Sequence, residues 1–251
     1  MDLGLTDRRA LVTAGSKGLG RACAEALIAE GTKVFISSRN PEATAQEIGA
    51  AGWLASDLSK EGEPEKQVDQ AVRALGGLDI LLVNAGGPPP GTFQSTPLEA
   101  WGAGFQLTLM SAVRLAKAAM PHLKRSDQAR IVFITSVSVR QPIPHIVISN
   151  ALRSAVTGLA KTLARELAPD GITVNCVAPD SILTDRLRDI ARAQGADPDE
   201  RIREQAAAAP MRRMGDPSEF AAACVFLCSR QAAYITGQTL GVDGGSLMGV
   251  H

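Results

Sequence analysis

The chain has 251 residues, with 26 basic and 26 acidic side chains, so its formal net charge is zero. Nucleic-acid binders usually carry a positive surplus and stacking aromatic side chains, and aromatic residues make up only 4% of this chain. Residues 1–7 lack the pattern of a signal peptide, and no run approaches the roughly 20 apolar residues of a membrane span. We therefore expect a cytoplasmic protein with no nucleic-acid partner and no membrane partner.

Short apolar runs alternate with longer helical patterns along the chain. Most of these runs lack polar alternation, which is typical of strands buried on both faces of a parallel sheet. The predicted strands are Arg8–Thr13, Lys33–Ser37, Gly52–Ser56, Leu78–Val83, Arg130–Thr135, Ile172–Val177 and Gln238–Val242. The predicted helices are Leu19–Glu30, Pro41–Ala50, Glu65–Leu75, Leu98–Lys124, Ser149–Leu167 and Pro217–Ser229. This order predicts one α/β domain over residues 1–251, with a doubly wound parallel sheet of Rossmann type in three α/β/α layers.

The regular alternation ends after Ala178. Residues 181–209 are charged and rich in alanine, and Gly195 and Pro198 interrupt them. They predict one or two helices, which would form either a lid over a substrate or a plain hairpin of surface helices. The four cysteines, of which Cys224 and Cys228 share a predicted helix face, have no histidine nearby. We expect buried, reduced thiols and no metal site.

A glycine-rich turn joins the first predicted strand to the first predicted helix. It reads Thr13-Ala14-Gly15-Ser16-Lys17-Gly18-Leu19-Gly20. Glycines in this context let the backbone approach a pyrophosphate, whose charge is met by the amides at the helix N-terminus. The alternative is a tight strand-to-helix turn that binds no ligand.

The turn resembles the Thr-Gly-x-x-x-Gly-x-Gly turn of the short-chain dehydrogenase/reductase family, with Ala14 at the first glycine. Further matches cover nearly the whole chain, and the similarity is closest to 3-oxoacyl-[acyl-carrier-protein] reductases. They are Asp57 after the third strand, Asn84-Ala85-Gly86 after the fourth, Pro179 to Thr184 with Asp180 replacing glycine, and the stretch from Gly237 to Gly245. The resemblance implies a homo-oligomer, commonly a tetramer, assembled through the two long helices. It also implies a dinucleotide site formed by Thr13, Gly15, Ser16, Lys17, Gly18, Leu19, Gly20, Ser38, Arg39, Asp57, Leu58, Asn84, Ala85, Gly86, Pro179 and Thr184.

The residues after the second strand indicate which dinucleotide to expect. An acidic residue there would favour NAD, whereas a basic residue accommodates the 2′-phosphate of NADP. Here the strand ends Ser37-Ser38-Arg39, and Lys17 adds a second positive charge. Guanidinium groups match phosphate well, so we expect NADP(H) rather than NAD(H). The alternative is a pair of solvated surface cations.

The catalytic positions depart from the family pattern. Members of the family use a tyrosine as proton donor, a lysine four residues later, a serine that binds the carbonyl oxygen and an asparagine in the preceding long helix. The resemblance places Ser136 at the serine position and Ser149, Arg153 and Thr108 at the tyrosine, lysine and asparagine positions. A phenol has a pKa of about 10, and an aliphatic hydroxyl is a much weaker acid. Ser149 therefore does not replace the tyrosine as an acid.

A substitute donor would have to come from another segment. His145 lies four residues before Ser149, and an imidazole is a competent acid at neutral pH, although a histidine in such a loop is more often a surface residue. Three hypotheses stay open. They are a divergent NADP(H)-dependent oxidoreductase of a small carbonyl or hydroxyl substrate, a catalytically silent dinucleotide-binding relative, and a non-redox enzyme that reuses the pocket.

Overall fold

The computed structural model describes residues 1–193 and 195–250. Seven parallel strands form one sheet in the order β3-β2-β1-β4-β5-β6-β7. They are β1 (Arg9–Thr13), β2 (Lys33–Ser38), β3 (Gly52–Ala55), β4 (Ile80–Val83), β5 (Arg130–Ile134), β6 (Thr173–Pro179) and β7 (Thr239–Val242). The predicted doubly wound α/β class is confirmed. Because β1 is flanked by β2 and β4, chain order reverses between β1 and β4, and parallel sheets bind ligands at such a crevice.

Helices cover both faces of the sheet. They are α1 (Gly18–Ala29), α2 (Glu42–Ile48), α3 (Glu63–Leu75), α4 (Leu98–Gly104), α5 (Ser111–Leu123), α6 (Val147–Leu167), α7 (Asp185–Ala193), α8 (Pro198–Ala208) and α9 (Pro217–Cys228). Helices α3, α5 and α6 bury one face, and α1, α2 and α9 bury the other. In β1, Leu11 enters the first core and Val12 the second, and both are fully buried. Two-sided burial explains why the strand sequences are apolar without alternation.

The predicted boundaries agree with the structure to within two residues, with one correction inside an element. The helix predicted over Leu98–Lys124 ends at Leu123, and its middle, Phe105–Met110, is a π-helix that separates α4 from α5. The Ser111 hydroxyl donates to the Leu107 carbonyl (2.5 Å), which gives a polar partner to a carbonyl of the widened turn. In a π-helix each hydrogen bond reaches one residue further than in an α-helix, and a segment of six residues is too short for this change to be visible in the hydrophobic pattern.

In the described part of the segment 181–209, two helices, α7 and α8, pack against each other. The four cysteines are buried free thiols, as predicted, and burial raises the pKa of the Cys176 thiol to about 12. Within the described residues there is no cluster of three or more His, Cys, Asp or Glu side chains that could hold a metal ion. The same part of the chain contains no helix that is both long and apolar enough to cross a membrane.

Candidate active site

The glycine-rich turn lies at the C-terminal end of β1, where the crevice opens. The Gly15 amide donates to the Ser37 carbonyl of β2 (3.0 Å), which fixes the turn against the neighbouring strand. A Cβ atom at Gly20 would clash with the Ala14 carbonyl oxygen and would lie 2.7 Å from Nδ2 of Asn84. Glycine is therefore required at position 20 because the helix starts in direct contact with the turn backbone.

The N-terminus of α1 is open to an anion. Lys17 precedes the helix in an extended conformation, and no side chain of the described residues caps it. The first turn, which begins Gly18-Leu19-Gly20, contains no acidic residue. The first amides of a helix have no intrahelical acceptor and carry the positive end of the helix dipole. These amides are well placed to hold a phosphate group.

Thr13 and Asn84 join the ends of β1 and β4 across the crevice. The Thr13 hydroxyl donates to the Asn84 carbonyl (2.7 Å) and accepts from the Asn84 amide (2.9 Å). The Asn84 side-chain amide donates to the Ala14 carbonyl (3.3 Å). These bonds hold the Asn84–Gly86 loop beside the glycine turn, which brings two of the predicted cofactor segments together.

A buried polar chain supports the far end of the crevice. The Ser37 hydroxyl donates to Oε1 of Gln67, and Nε2 of Gln67 donates to the Ser56 hydroxyl (both 2.6 Å). Next to this chain, the Ser38 hydroxyl is buried and has no hydrogen-bond partner among the described residues. A buried polar atom without a partner is costly, and a ligand oxygen beside Ser38 would satisfy it.

Arg39 and Asp57 lie at this same end, after β2 and β3. Arg39 is exposed, and its charge reaches Asp57. Asp57 accepts from the hydroxyl and the amide of Ser59 (2.7 and 3.0 Å), and these bonds lower the pKa of its carboxyl group. The next residue, Leu58, is buried. The carboxylate therefore stays charged and oriented at neutral pH.

Two of the predicted catalytic residues, Ser136 and Arg153, lie at the C-terminal end of β5, and a third, Ser149, is on the same helix as Arg153. Oγ of Ser136 accepts from the Ser138 amide (3.1 Å), which leaves the hydroxyl hydrogen free to donate. Nη1 of Arg153 donates to the Ile134 carbonyl, two residues before Ser136 (2.8 Å). Ser149 lies four residues before Arg153 on α6, hence on the same helix face.

Arg153 is a constrained cation. Burial lowers its pKa to about 10, and the positive charge of Arg186 contributes in the same direction. A group with this pKa is still protonated at neutral pH. Arg153 can therefore bind hydroxyl groups and stabilise negative charge, but it does not release a proton under physiological conditions.

Thr108 and His145 occupy different environments. Thr108 lies in the π-helix, and its buried hydroxyl has no partner among the described residues. His145 is exposed, with φ of +61°, and its carbonyl accepts from the Gly91 amide (2.7 Å). Within the part of the chain that the structure describes, no hydrogen bond joins its imidazole to Ser136 or Ser149. The role of His145 stays a prediction.

The only tyrosine, Tyr234, is fully exposed in the turn after α9. Two residues further on, the Thr236 hydroxyl accepts from the Val174 amide (3.0 Å), near the start of β6. Because the strands are parallel, the start of β6 lies at the end of the sheet opposite the one that carries Ser136. Tyr234 is therefore far from the proposed reacting centre.

The segment after β6 crosses above the glycine turn. Pro179 is the last residue of β6, and a methyl group at Gly18 would lie 3.6 Å from Cγ2 of Thr184. Two residues further, the Arg186 guanidinium lies over Gly87, where an added Cβ atom would be 2.8 Å from its Cζ. Arg186 is a site residue that sequence reasoning missed. The sequence does place Arg186 two residues after Thr184, which was predicted to bind the cofactor. However, the neighbouring charged residues of this segment indicated a solvated surface helix.

The fold and these contacts define a doubly wound protein with a crevice suited to a dinucleotide. The features that suit it are the uncapped N-terminus of α1, the absence of a side chain at Gly20, and the polar groups after β2, β4 and β5. The sequence profile of the family described as enoyl-(acyl carrier protein) reductase matches residues 13–246. The chain belongs to the short-chain dehydrogenase/reductase family of oxidoreductases, which confirms the resemblance drawn from its motifs.

Individual relatives match over nearly their whole length. L-fucose dehydrogenase of Bos taurus is 33% identical over 247 residues, which cover 95% of this chain and 89% of the relative. The 3-oxoacyl-[acyl-carrier-protein] reductase FabG of Vibrio cholerae is 35% identical over 251 residues, covering 98% and 100%. Among solved structures, L-sorbose reductase from Gluconobacter frateurii, complexed with NADPH and L-sorbose, has a TM-score of 0.91 at 30% identity over 100% of both chains.

Proposed function

We propose that this chain is a divergent NADP(H)-dependent oxidoreductase that acts on a small carbonyl or hydroxyl compound. The observation that carries the proposal is the uncapped N-terminus of α1 beside Gly20, with the buried, unpartnered Ser38 hydroxyl at the end of the neighbouring strand. Both features fit phosphate oxygens of a dinucleotide. The NADPH in the solved L-sorbose reductase supports the same choice of cofactor.

Each segment of the crevice has a role in this proposal. The amides from Gly18 to Gly20 would hold the pyrophosphate, while Lys17, Ser38 and Arg39 would bind the 2′-phosphate. The segments Asp57–Leu58, Asn84–Gly86 and Pro179–Thr184 would line the adenine and nicotinamide halves. When bound, the nicotinamide would supply or accept a hydride at the substrate carbon.

The chain's own residues would orient the carbonyl group. Ser136 would donate its free hydroxyl hydrogen to the substrate oxygen, because its Oγ already accepts from the Ser138 amide. Arg153, held by the Ile134 carbonyl, would bind ribose hydroxyls and stabilise negative charge. Ser149 would act only as a hydrogen-bonding group, and the proton would come from a surrogate donor such as His145 or from water. Helices α7 and α8 would form the lid.

One observation favours a second candidate, a catalytically silent relative that binds the dinucleotide as a sensor or as an oligomer partner. Neither Ser149 nor Arg153 releases a proton at neutral pH, and losing a positioned general acid typically costs about 10²–10⁴ in rate. This candidate shares the cofactor site of the first. It differs in predicting no turnover with any carbonyl compound.

Calorimetric titration with NADPH and NADH tests the proposal, once the purified protein has been shown to be free of bound nucleotide. We expect tighter binding of NADPH, and we expect Arg39→Ala to weaken NADPH by about 10- to 100-fold while leaving NADH unchanged. Arg73→Ala is the matched control, because Arg73 is an exposed cation at the end of α3, near the start of β1 and therefore opposite the strand ends where Arg39 lies. If neither nucleotide binds, the oxidoreductase proposal is wrong. If both bind without turnover of any carbonyl compound, the silent relative is favoured.

A further inference from the structure

We infer that Arg186 and Arg153 form an anion-binding pair for a carboxylate or similar acidic group carried by the substrate. The inference rests on the proposed function and specifies its substrate class as a carbonyl or hydroxyl compound that is also an acid. The two side chains come from α7 and α6, and they converge beyond the ends of β4 and β5.

The guanidinium of Arg186 lies against the backbone of Gly87. A side chain at position 87 would require the guanidinium to move, because an added Cβ atom would lie 2.8 Å from its Cζ. The residue as a whole is solvent-exposed, yet its guanidinium is desolvated enough to lower its pKa. A freely solvated surface arginine does not pack against the backbone of a glycine in this way. Gly87 thus leaves room for the guanidinium at the mouth of the crevice.

Neither cation has an acidic partner among the described side chains. Eight other arginines do, including Arg188, which lies two residues after Arg186 on α7 and pairs with Asp199 (2.5 Å). Arg186 and Arg153 instead act on each other, since the charge of Arg186 lowers the pKa of Arg153. Two like charges without a counterion repel each other, and an anion bound between them would remove the repulsion. Arginine binds carboxylates and phosphates with paired hydrogen bonds.

The position of the pair separates this anion from the pyrophosphate of the dinucleotide. The pyrophosphate has its own site at the N-terminus of α1, after β1. Arg186 lies over Gly87, after β4, and Arg153 lies beside the end of β5 with Ser136. The pair therefore lies on the reacting side of the crevice, opposite the Arg39 end. An acidic group held there would place an adjacent carbonyl group beside the Ser136 hydroxyl.

The test measures binding rather than turnover. Protein saturated with NADPH is titrated with oxamate, in which a carboxylate adjoins an unreactive carbonyl, and with ethyl oxamate, its uncharged ester. We expect oxamate to bind better than the ester and Arg186→Gln to weaken oxamate by about 10- to 100-fold. Gly87→Ala should also weaken it, because the new methyl group displaces the guanidinium without removing its charge. Arg73→Gln is the control, because Arg73 is an exposed arginine outside the crevice and the lid, and it should leave oxamate affinity unchanged.

Four results would overturn the inference: no binding of oxamate, equal binding of acid and ester, an equal loss in Arg186→Gln and Arg73→Gln, or a loss of NADPH affinity in place of oxamate affinity in Arg186→Gln. The last result would assign Arg186 to the cofactor phosphates. Failure of the proposed function looks different, since it appears as absent NADPH binding or absent turnover. If NADPH does not bind, oxamate titration of the cofactor-free variants decides the inference by the same comparisons.

Discussion

Replacing Ala14 by glycine should stabilise the protein, although glycine usually destabilises. Ala14 has φ of +46°, the left-handed region that a residue with a Cβ atom adopts at a cost of about 1–2 kcal/mol. Glycine removes this strain, but it adds roughly 0.5–1 kcal/mol of chain entropy to the unfolded state. The balance is about 0.5–1 kcal/mol in favour of Ala14→Gly, or roughly 1–4 °C in Tm for a chain of this size. The family resemblance also has glycine at this position.

Urea denaturation and thermal melting of the purified variant measure this difference. Ala222→Gly is the matched control, because Ala222 is exposed in the middle of α9, and there the same change should cost about 1 kcal/mol. A second readout is NADPH affinity, which should be retained in Ala14→Gly because Gly20 and the α1 amides are unchanged. If Ala14→Gly lowers stability as much as Ala222→Gly, the strain assigned to Ala14 is not present and the reasoning is refuted.

Two further predictions concern stability and catalysis. Burial opposes ionisation of Asp79, but bonds from Arg9 and Ser126 outweigh it and lower the pKa of this carboxyl group. The stabilisation that the Asp79 carboxylate gives the folded state is therefore present above about pH 4 and is lost as pH falls through its lower folded pKa. Asp79→Asn should lower the free energy of unfolding by about 3 kcal/mol at pH 7, as measured in urea titrations, and should weaken the pH dependence of stability in the acid range. The double variant Ser149→Tyr with Arg153→Lys should gain NADPH-dependent carbonyl reduction, by about 10²–10⁴-fold, in an absorbance assay of NADPH oxidation. An unchanged rate in a folded, NADPH-binding variant would contradict that expectation.

The strands and the crevice could be predicted from the sequence because each depends on local composition. Runs such as Ile131–Phe133 are apolar throughout, since both faces of the parallel sheet are covered. The turn from Thr13 to Gly20 can be recognised in the sequence because glycine is required where α1 starts against the turn backbone. In both cases the physical constraint acts on consecutive residues, so a single sequence displays it.

The remaining features depend on contacts between distant residues. Arg186 meets Gly87 and Arg153 only when α7, β4 and α6 have been brought together, and in the sequence it stands in a charged run. The unpartnered Ser38 hydroxyl is likewise visible only once its surroundings are packed. The π-helix at Phe105–Met110 differs from an α-helix by hydrogen bonds that reach one residue further, and over six residues the hydrophobic pattern does not resolve this difference.

The pH dependence of turnover would identify the source of the proton. Arg153, with a pKa of about 10, stays charged through neutral pH, so carbonyl reduction that depends on its charge should persist until pH rises through about 10. If His145 is the donor, His145→Gln should lose most of the rate, because the imidazole would supply the proton. If water is the donor, the rate should be unchanged in that variant and the profile should be flat up to the arginine limit. A loss of activity well below pH 10 that persists at full rate in His145→Gln would contradict both assignments.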